Sequence, residues 1–409
     1  MKRIALLALV GCNQLLGNHD FSAPADAPPA REVDAYVDPC VASGRPATSL
    51  SGTVYAPNGT LPLYGATVYV PSAPLAAIRD GVGGPTCTSG APIAITHSDE
   101  AGHFQLVGVP SGDVPLVVQV GKWRREQVVV HGVAACTDNP VDPDAARLPR
   151  DAAEGTLPHI AITTGDADTL ECIARDIGVD PTEIGSGPAF GGHVHLYVEN
   201  GVSKLSSGTA LDPSTQLYAD DLARYDMIMF GCTGQASMFS TPVNATSVET
   251  WTDSGGWLFL EHYQWSWLVN APGPWSAIAQ FGSGTSPDAG VLSIDTTTPI
   301  GTSFARWLVH VGVSTVTGQV PLSNARNSCI AVGPSAVRQM YLDPALDNGT
   351  SGVQSFTYDT PGGGRVTFDD VHANGGVANT NLAYPAECGP PLAQEIAMIF
   401  QVFEMPTCQ

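Results

Sequence analysis

Near residue 150 the apolar pattern of this chain changes period. From about Leu50 to Pro140 apolar and polar residues alternate in short runs, SLSGTVYAPNG, GATVYVP, ITHSDEAGHFQLVGVPSG and VPLVVQVGKWRREQVVVHG. Asn58-Gly59 and Glu100-Ala101-Gly102 interrupt them where a reversing backbone needs positive φ. Val54, Tyr55, Val68, Val70, Phe104 and Leu106 give these strands a buried face, and several strands at such spacing predict an all-β sandwich. From His159 onward short apolar strands alternate with helical segments. Strands are expected over 159–163, 193–198, 225–230 and 256–260, with helices over 167–177 and 247–254. Such a βαβ succession predicts an α/β domain with a mostly parallel sheet and helices on both faces. Farther on, the pattern predicts a helix over 300–311, paired strands over 353–358 and 365–368, and a closing helix over 391–403 with Leu392, Ile396, Ile399 and Phe400 on one face.

The N-terminus speaks to compartment. Lys2 and Arg3 precede a short apolar run, 4–11, that suits a secretory signal and is far below the roughly 20 residues of a membrane-spanning helix. Its end, Leu9-Val10-Gly11-Cys12, resembles the lipobox of bacterial lipoproteins, which implies cleavage before a lipidated Cys12 and a membrane partnership through that lipid. Asn13, where an Asp would favour inner-membrane retention, implies outer-membrane sorting with the protein in the periplasm or at the surface. The Pro-, Ala- and Asp-rich stretch 12–47 reads as an extended tether. The expected organisation is signal 1–11, tether 12–47, sandwich 48–140, linker 141–158 and α/β domain 159–409.

With 17 Lys+Arg against 39 Asp+Glu, a formal charge of −22, the chain repels phosphate backbones, and nucleic acid is excluded as a partner. No glycine-rich phosphate loop follows a strand. The basic cluster Gly121-Lys122-Trp123-Arg124-Arg125 reads as a solvated edge strand, with an anion or partner site, or an interface with the acidic second domain, as alternatives. Eight cysteines remain beyond Cys12, an even number that suits disulfides in an oxidising compartment. Cys172, early in the first helix, and Cys232, at the end of a neighbouring strand, suit a bridge, while the partners of Cys40, Cys329, Cys388 and Cys408 stay open.

Gly52-Thr53-Val54, Gly65-Ala66-Thr67-Val68, the Ser98-Asp99 to Gly102-His103-Phe104 hairpin and Val109-Pro110-Ser111-Gly112 make the first domain resemble the carboxypeptidase regulatory-like family, a transthyretin-like (prealbumin-like) sandwich. That resemblance implies a non-catalytic adhesion, spacing or carbohydrate-binding-like module. Against it, residues 72–92 form an insertion whose Cys87 is expected to reach Cys136. Tyr225 to Gly231 with Gly234, Gly255 to His262, and Gly364 to Phe368 ending at His372 make the second domain resemble the class I glutamine amidotransferase-like superfamily, in its trehalose-utilisation-protein-like branch. This implies a flavodoxin-like sheet. Active members carry a nucleophilic Cys on a strand-to-helix elbow, whereas here Leu260-Glu261-His262-Tyr263 occupies that place and Gly231-Cys232-Thr233-Gly234 lies one strand early.

Candidate chemistry gathers at strand ends. His262, beside Glu261, ends one strand, and Asp370 and His372 follow another behind Asp369, so His262, Asp370 and His372 are the candidate catalytic or metal-ligating set. Hydrogen-bonded core histidines are the structural alternative. Tyr263, Trp265 and Trp267 alternate and are expected to form a flat platform for a sugar ring, or else core. The reading these features favour is a lipid-anchored envelope binding or interaction protein with a catalytically silent amidotransferase-like domain, no cofactor, and a carbohydrate or an envelope protein as partner. The alternative is an envelope hydrolase using the His/Asp set, with a divalent metal as its cofactor.

Overall fold

Period-two alternation, broken at turns, folds residues 49–156 of the computed structural model into short strands. The structure describes residues 36–83, 88–284, 289–324, 326–373, 381–404 and 406, so the signal segment, Cys12, most of the tether, Cys87 and Cys408 lie outside the described residues. In chain order the strands are β1 (Ser49–Thr53), β2 (Thr67–Pro71), β3 (Pro92–His97), β4 (His103–Val107), β5 (Gly112–Val120), β6 (Trp123–Val133), β7 (Asp138–Pro140) and β8 (Gly155–Thr156). They make two sheets, β4-β1-β7 and β3-β2-β5-β6-β8. Leu50, Leu106, Val68, Leu116 and Val118 are fully buried members of one core, as inward positions of alternating strands should be.

The rest of the chain builds one large mixed sheet. Its strands are β9 (Ile160–Thr164), β10 (Ile184–Ser186), β11 (Val194–Val198), β12 (Asp212–Pro213), β13 (Met227–Phe230), β14 (Trp257–Glu261), β15 (Ala279–Phe281), β16 (Ala289–Ile294), β17 (Gln319–Ser323), β18 (Cys329–Val332), β19 (Val337–Leu342), β20 (Gly352–Asp359) and β21 (Arg365–Asp369). The order β10-β11-β9-β13-β14-β21 is parallel throughout, and β20-β19-β16-β17 continue it as an antiparallel wing. The protein is therefore rich in β-sheet with a parallel α/β half, rather than mostly parallel.

Helices form where caps permit. Thr241 and Thr298 accept from Asn244 N and Gly301 N, each ahead of a first-turn proline, and open helices Pro242–Asp253 and Pro299–His310. The helix expected over 167–177 shortens to Cys172–Asp176, because Asp168 turns its carboxylate to the Cys232 and Leu170 N–H groups instead of joining a helical turn. The closing helix, Ala393–Glu404, is buried on nearly all sides: Phe400 stacks on Phe304 at 4.3 Å and Phe403 meets Trp123 at 5.3 Å.

Three expectations are corrected. The body starts at Val37 rather than at 48, because Cys40 is stapled to Cys136 and the Asp38 carboxylate accepts from Cys40 N at 2.9 Å and Thr48 N at 2.7 Å. The expected bridges Cys87 to Cys136 and Cys172 to Cys232 do not form: Cys136 is taken by Cys40, and Cys172 pairs with Cys388 across a Cα separation of 5.5 Å. Arg175, on the same helix as Cys172, holds the Cys388 carbonyl at 2.7 Å and so aligns the two sulfurs, while Cys232 and Cys329 stay buried and free. Finally, 121–125 is no solvated edge. Lys122, Trp123 and Arg124 are buried, and Lys122 Nζ donates to Arg79 O at 2.9 Å and pairs with Asp226 Oδ1 at 2.5 Å, joining the β5–β6 hairpin to the start of β13. Asp226 Oδ2 accepts from His159 N at 2.8 Å, so this one carboxylate ties three segments together.

Candidate functional site

Parallel strands deliver their last residues to one edge, and the register places Glu261 of β14 opposite Asp369 of β21 there. Immediately beyond, His262 adopts a φ of 41°, a left-handed conformation uncommon for a side chain larger than glycine. The strand breaks at this residue into a 3₁₀ turn, His262–Trp265. An imidazole therefore stands at the turn that ends β14.

Two other side chains meet that imidazole. His372 Nε2 lies 2.9 Å and Cys232 Sγ 3.4 Å from His262 Nδ1, and all three residues are buried. Their ligand atoms lie within 4.8 Å of one another. Cys232 comes from the end of β13, and its N–H is held by Asp168 Oδ2 at 2.7 Å. His372 is placed by Glu261, whose Oε1 accepts from Ala373 N at 2.7 Å, and by Gln394, whose amide donates to the His372 carbonyl at 2.5 Å.

Burial sets the protonation of this group. The His262 pKa falls to about 2, chiefly by burial and then by His372 and Arg326 nearby; that of His372 falls to about 3 by burial and Arg326. Both rings are neutral at neutral pH. Burial and the neighbouring Asp168 push the Cys232 thiol far up, so it is protonated and a poor nucleophile. Behind Cys232, Asp168 is raised to about 6 and Glu261 well above the ordinary carboxyl range, both mainly by burial.

Asp370 does not join the imidazoles. Its carboxylate accepts from Ser328 N at 2.5 Å, Ser328 Oγ at 2.6 Å and Cys329 N at 3.1 Å, and so shapes the loop before β18. β21 ends at Asp369 and the chain bends at Val371, so Asp370 and His372 do not keep the common face that a continued strand would give them, and the set His262, Asp370, His372 becomes Cys232, His262, His372. The three-aromatic platform is also corrected. Residues 262–270 are helical, not extended, and alternation there does not align side chains. Trp267 is fully buried against Phe230 at 4.8 Å and Tyr218 at 4.9 Å, with its N–H on Gln264 Oε1. Tyr263 and Trp265 instead line a cleft of about 490 Å³ together with His262, Phe281, Arg326 and Ser328. Trp265 stacks on Phe281 at 5.5 Å and 17°, and its buried indole N–H has no acceptor among the described residues.

Sequence reasoning found both histidines from their positions at strand ends. It missed Cys232, although Gly231-Cys232-Thr233-Gly234 was in view, because a bridge to Cys172 had been expected to consume it. Arg326, from a loop, and Phe281, at the end of β15, carry no motif at all.

No protein-family model and no curated protein matches the chain. Among solved structures it is similar to a cytoplasmic protein, STM3548, from Salmonella typhimurium, with 10% identity over 53% of this chain and 88% of that one and a TM-score of 0.31. It is also similar to PurLQS from Thermotoga maritima, at 8% identity over 60% of this chain and 97% of that one with a TM-score of 0.29. A third similarity is to the exo-beta-1,4-mannosidase Op5Man5 from Opitutaceae bacterium strain TAV5, at 12% identity over 52% of this chain and 31% of that one with a TM-score of 0.25. None of these scores is high enough to argue a fold or an activity.

Proposed function

We propose that this chain is a lipid-tethered protein of the bacterial cell envelope that binds a carbohydrate-class ligand in the cleft beside His262, on an amidotransferase-like domain that has lost thiol catalysis. The observation that carries the reading is the cleft wall itself: Tyr263, Trp265 and Phe281 offer ring faces, and Arg326, Ser328 and the unpartnered Trp265 N–H offer polar groups beside them. Apolar faces with a few convergent donors are what a sugar ring uses. The protonated, buried Cys232 supports the loss of thiol chemistry, and the two sheets of the first domain are compatible with a spacing or adhesion module.

The test is binding of a panel of envelope oligosaccharides by calorimetry. Trp265→Ala should weaken the best binder by about two- to tenfold, given about 0.5–1.5 kcal/mol for one aromatic contact. A panel that shows no binding to the wild type, or equal binding to Trp265→Ala, sinks the reading. The anchor is tested separately: Cys12→Ser should leave the protein soluble or its signal uncleaved, and a mutant as membrane-bound and as fully processed as the wild type would defeat the tether.

A further inference from the structure

We infer that Cys232, His262 and His372 form a buried three-ligand centre for a divalent transition metal of the zinc class, beside the cleft that His262 lines. Thiolate and imidazole suit zinc, and three protein ligands leave its fourth position for a water or ligand. A tetrahedral zinc, with Zn–N near 2.0–2.1 Å and Zn–S near 2.3 Å, would hold its nitrogens about 3.3 Å apart and nitrogen from sulfur about 3.6 Å. Here the corresponding separations are 2.9 Å between His262 Nδ1 and His372 Nε2 and 3.4 Å between His262 Nδ1 and Cys232 Sγ. Shifts of a few tenths of an ångström bring these two separations to the tetrahedral values, and all three ligand atoms lie within 4.8 Å of one another.

A ring nitrogen carries one in-plane proton or one in-plane lone pair, so His262 Nδ1 can serve His372 or Cys232 but not both. A cation among the three serves all of them at once. Behind Cys232 lies the buried carboxyl group of Asp168, which accepts from Cys232 N at 2.7 Å and so fixes where the thiol stands. The other close group of candidate ligands, Cys172, Glu387 and Cys388, has its two sulfurs already joined.

The experiment is metal titration of the full-length protein exported to an oxidising compartment. The purified protein should carry about one zinc per chain by elemental analysis. Stripped with chelator, it should take up Co²⁺ in equal amount and show the near-ultraviolet thiolate-to-cobalt absorption that only a sulfur ligand produces. Cys232→Ser should lose that absorption, and His372→Ala should weaken Zn²⁺ binding by more than the 10–100-fold typical of an outer-shell partner. Because the stripped wild type is itself the main sample, an unfolded variant cannot hide the answer. Folded, stripped wild type that takes up neither ion, or Co²⁺ bound without the sulfur band, overturns the proposal. Oligosaccharide binding measured on the stripped protein judges the cleft separately, so either reading can fail without the other.

Discussion

Lys122→Met should destabilise the folded protein by about 3–5 kcal/mol, the cost of leaving one partner of a buried ion pair uncompensated. Lys122 and Asp226 expose only 4% and 3% of their surfaces, and the methionine side chain fills the space without supplying charge. The loss should depend on pH. Burial raises Asp226 to about 6 in spite of Lys122, so its folded pKa lies above its unfolded one. Such a group contributes stability that is complete below the unfolded pKa and is lost as pH rises through about 6. Without Lys122 the charged form costs more still, and the deficit should be larger at pH 8 than at pH 5. Lys122→Met combined with Asp226→Asn should recover part of it, since the amide oxygen still accepts from His159 N–H without a charge. Urea unfolding at the two pH values decides the matter; a deficit under 1 kcal/mol, or one that does not change with pH, would show that the pair is not the pin between the hairpin and β13.

Removing the Cys172–Cys388 bridge, by Cys172→Ser with Cys388→Ser, should cost about 5 kcal/mol, because it frees a loop of 216 residues in the unfolded chain. The native geometry has an independent hold on the same junction. Arg175 bonds the Cys388 and Gly389 carbonyls, so the double mutant should keep its fold at low denaturant and unfold at a lower midpoint. Reducing the wild type should lower the midpoint further, since it also opens the Cys40–Cys136 bridge. Equal midpoints for oxidised and reduced protein would mean that the bridge constrains little.

The two halves of this molecule were legible to different degrees. Strand and helix positions followed from period and caps: β20 and β21 pair as their apolar alternation suggested, and Thr298-Pro299 opens the helix read from Ile300. His262 and His372 were legible as well, since strand order alone carries the ends of β14 and β21 to one edge. The antiparallel wing was not: of its strands only β20 was read from the sequence, and nothing local shows β16, β17 and β19 joining the sheet beside it.

What the sequence determined by itself were features of short period or short span: the rhythm of the early strands, the acidic balance and the edge at which chemistry would gather. Partner choice was decided only by the tertiary structure. Cys172 reaches Cys388 rather than Cys232, Lys122 is buried against Asp226 rather than solvated, and Asp370 turns to Ser328 while Cys232 takes its place beside the imidazoles. The reason is physical. Local backbone preferences act over a few residues, whereas each of these pairings depends on where two segments tens or hundreds of residues apart come to rest when the core closes.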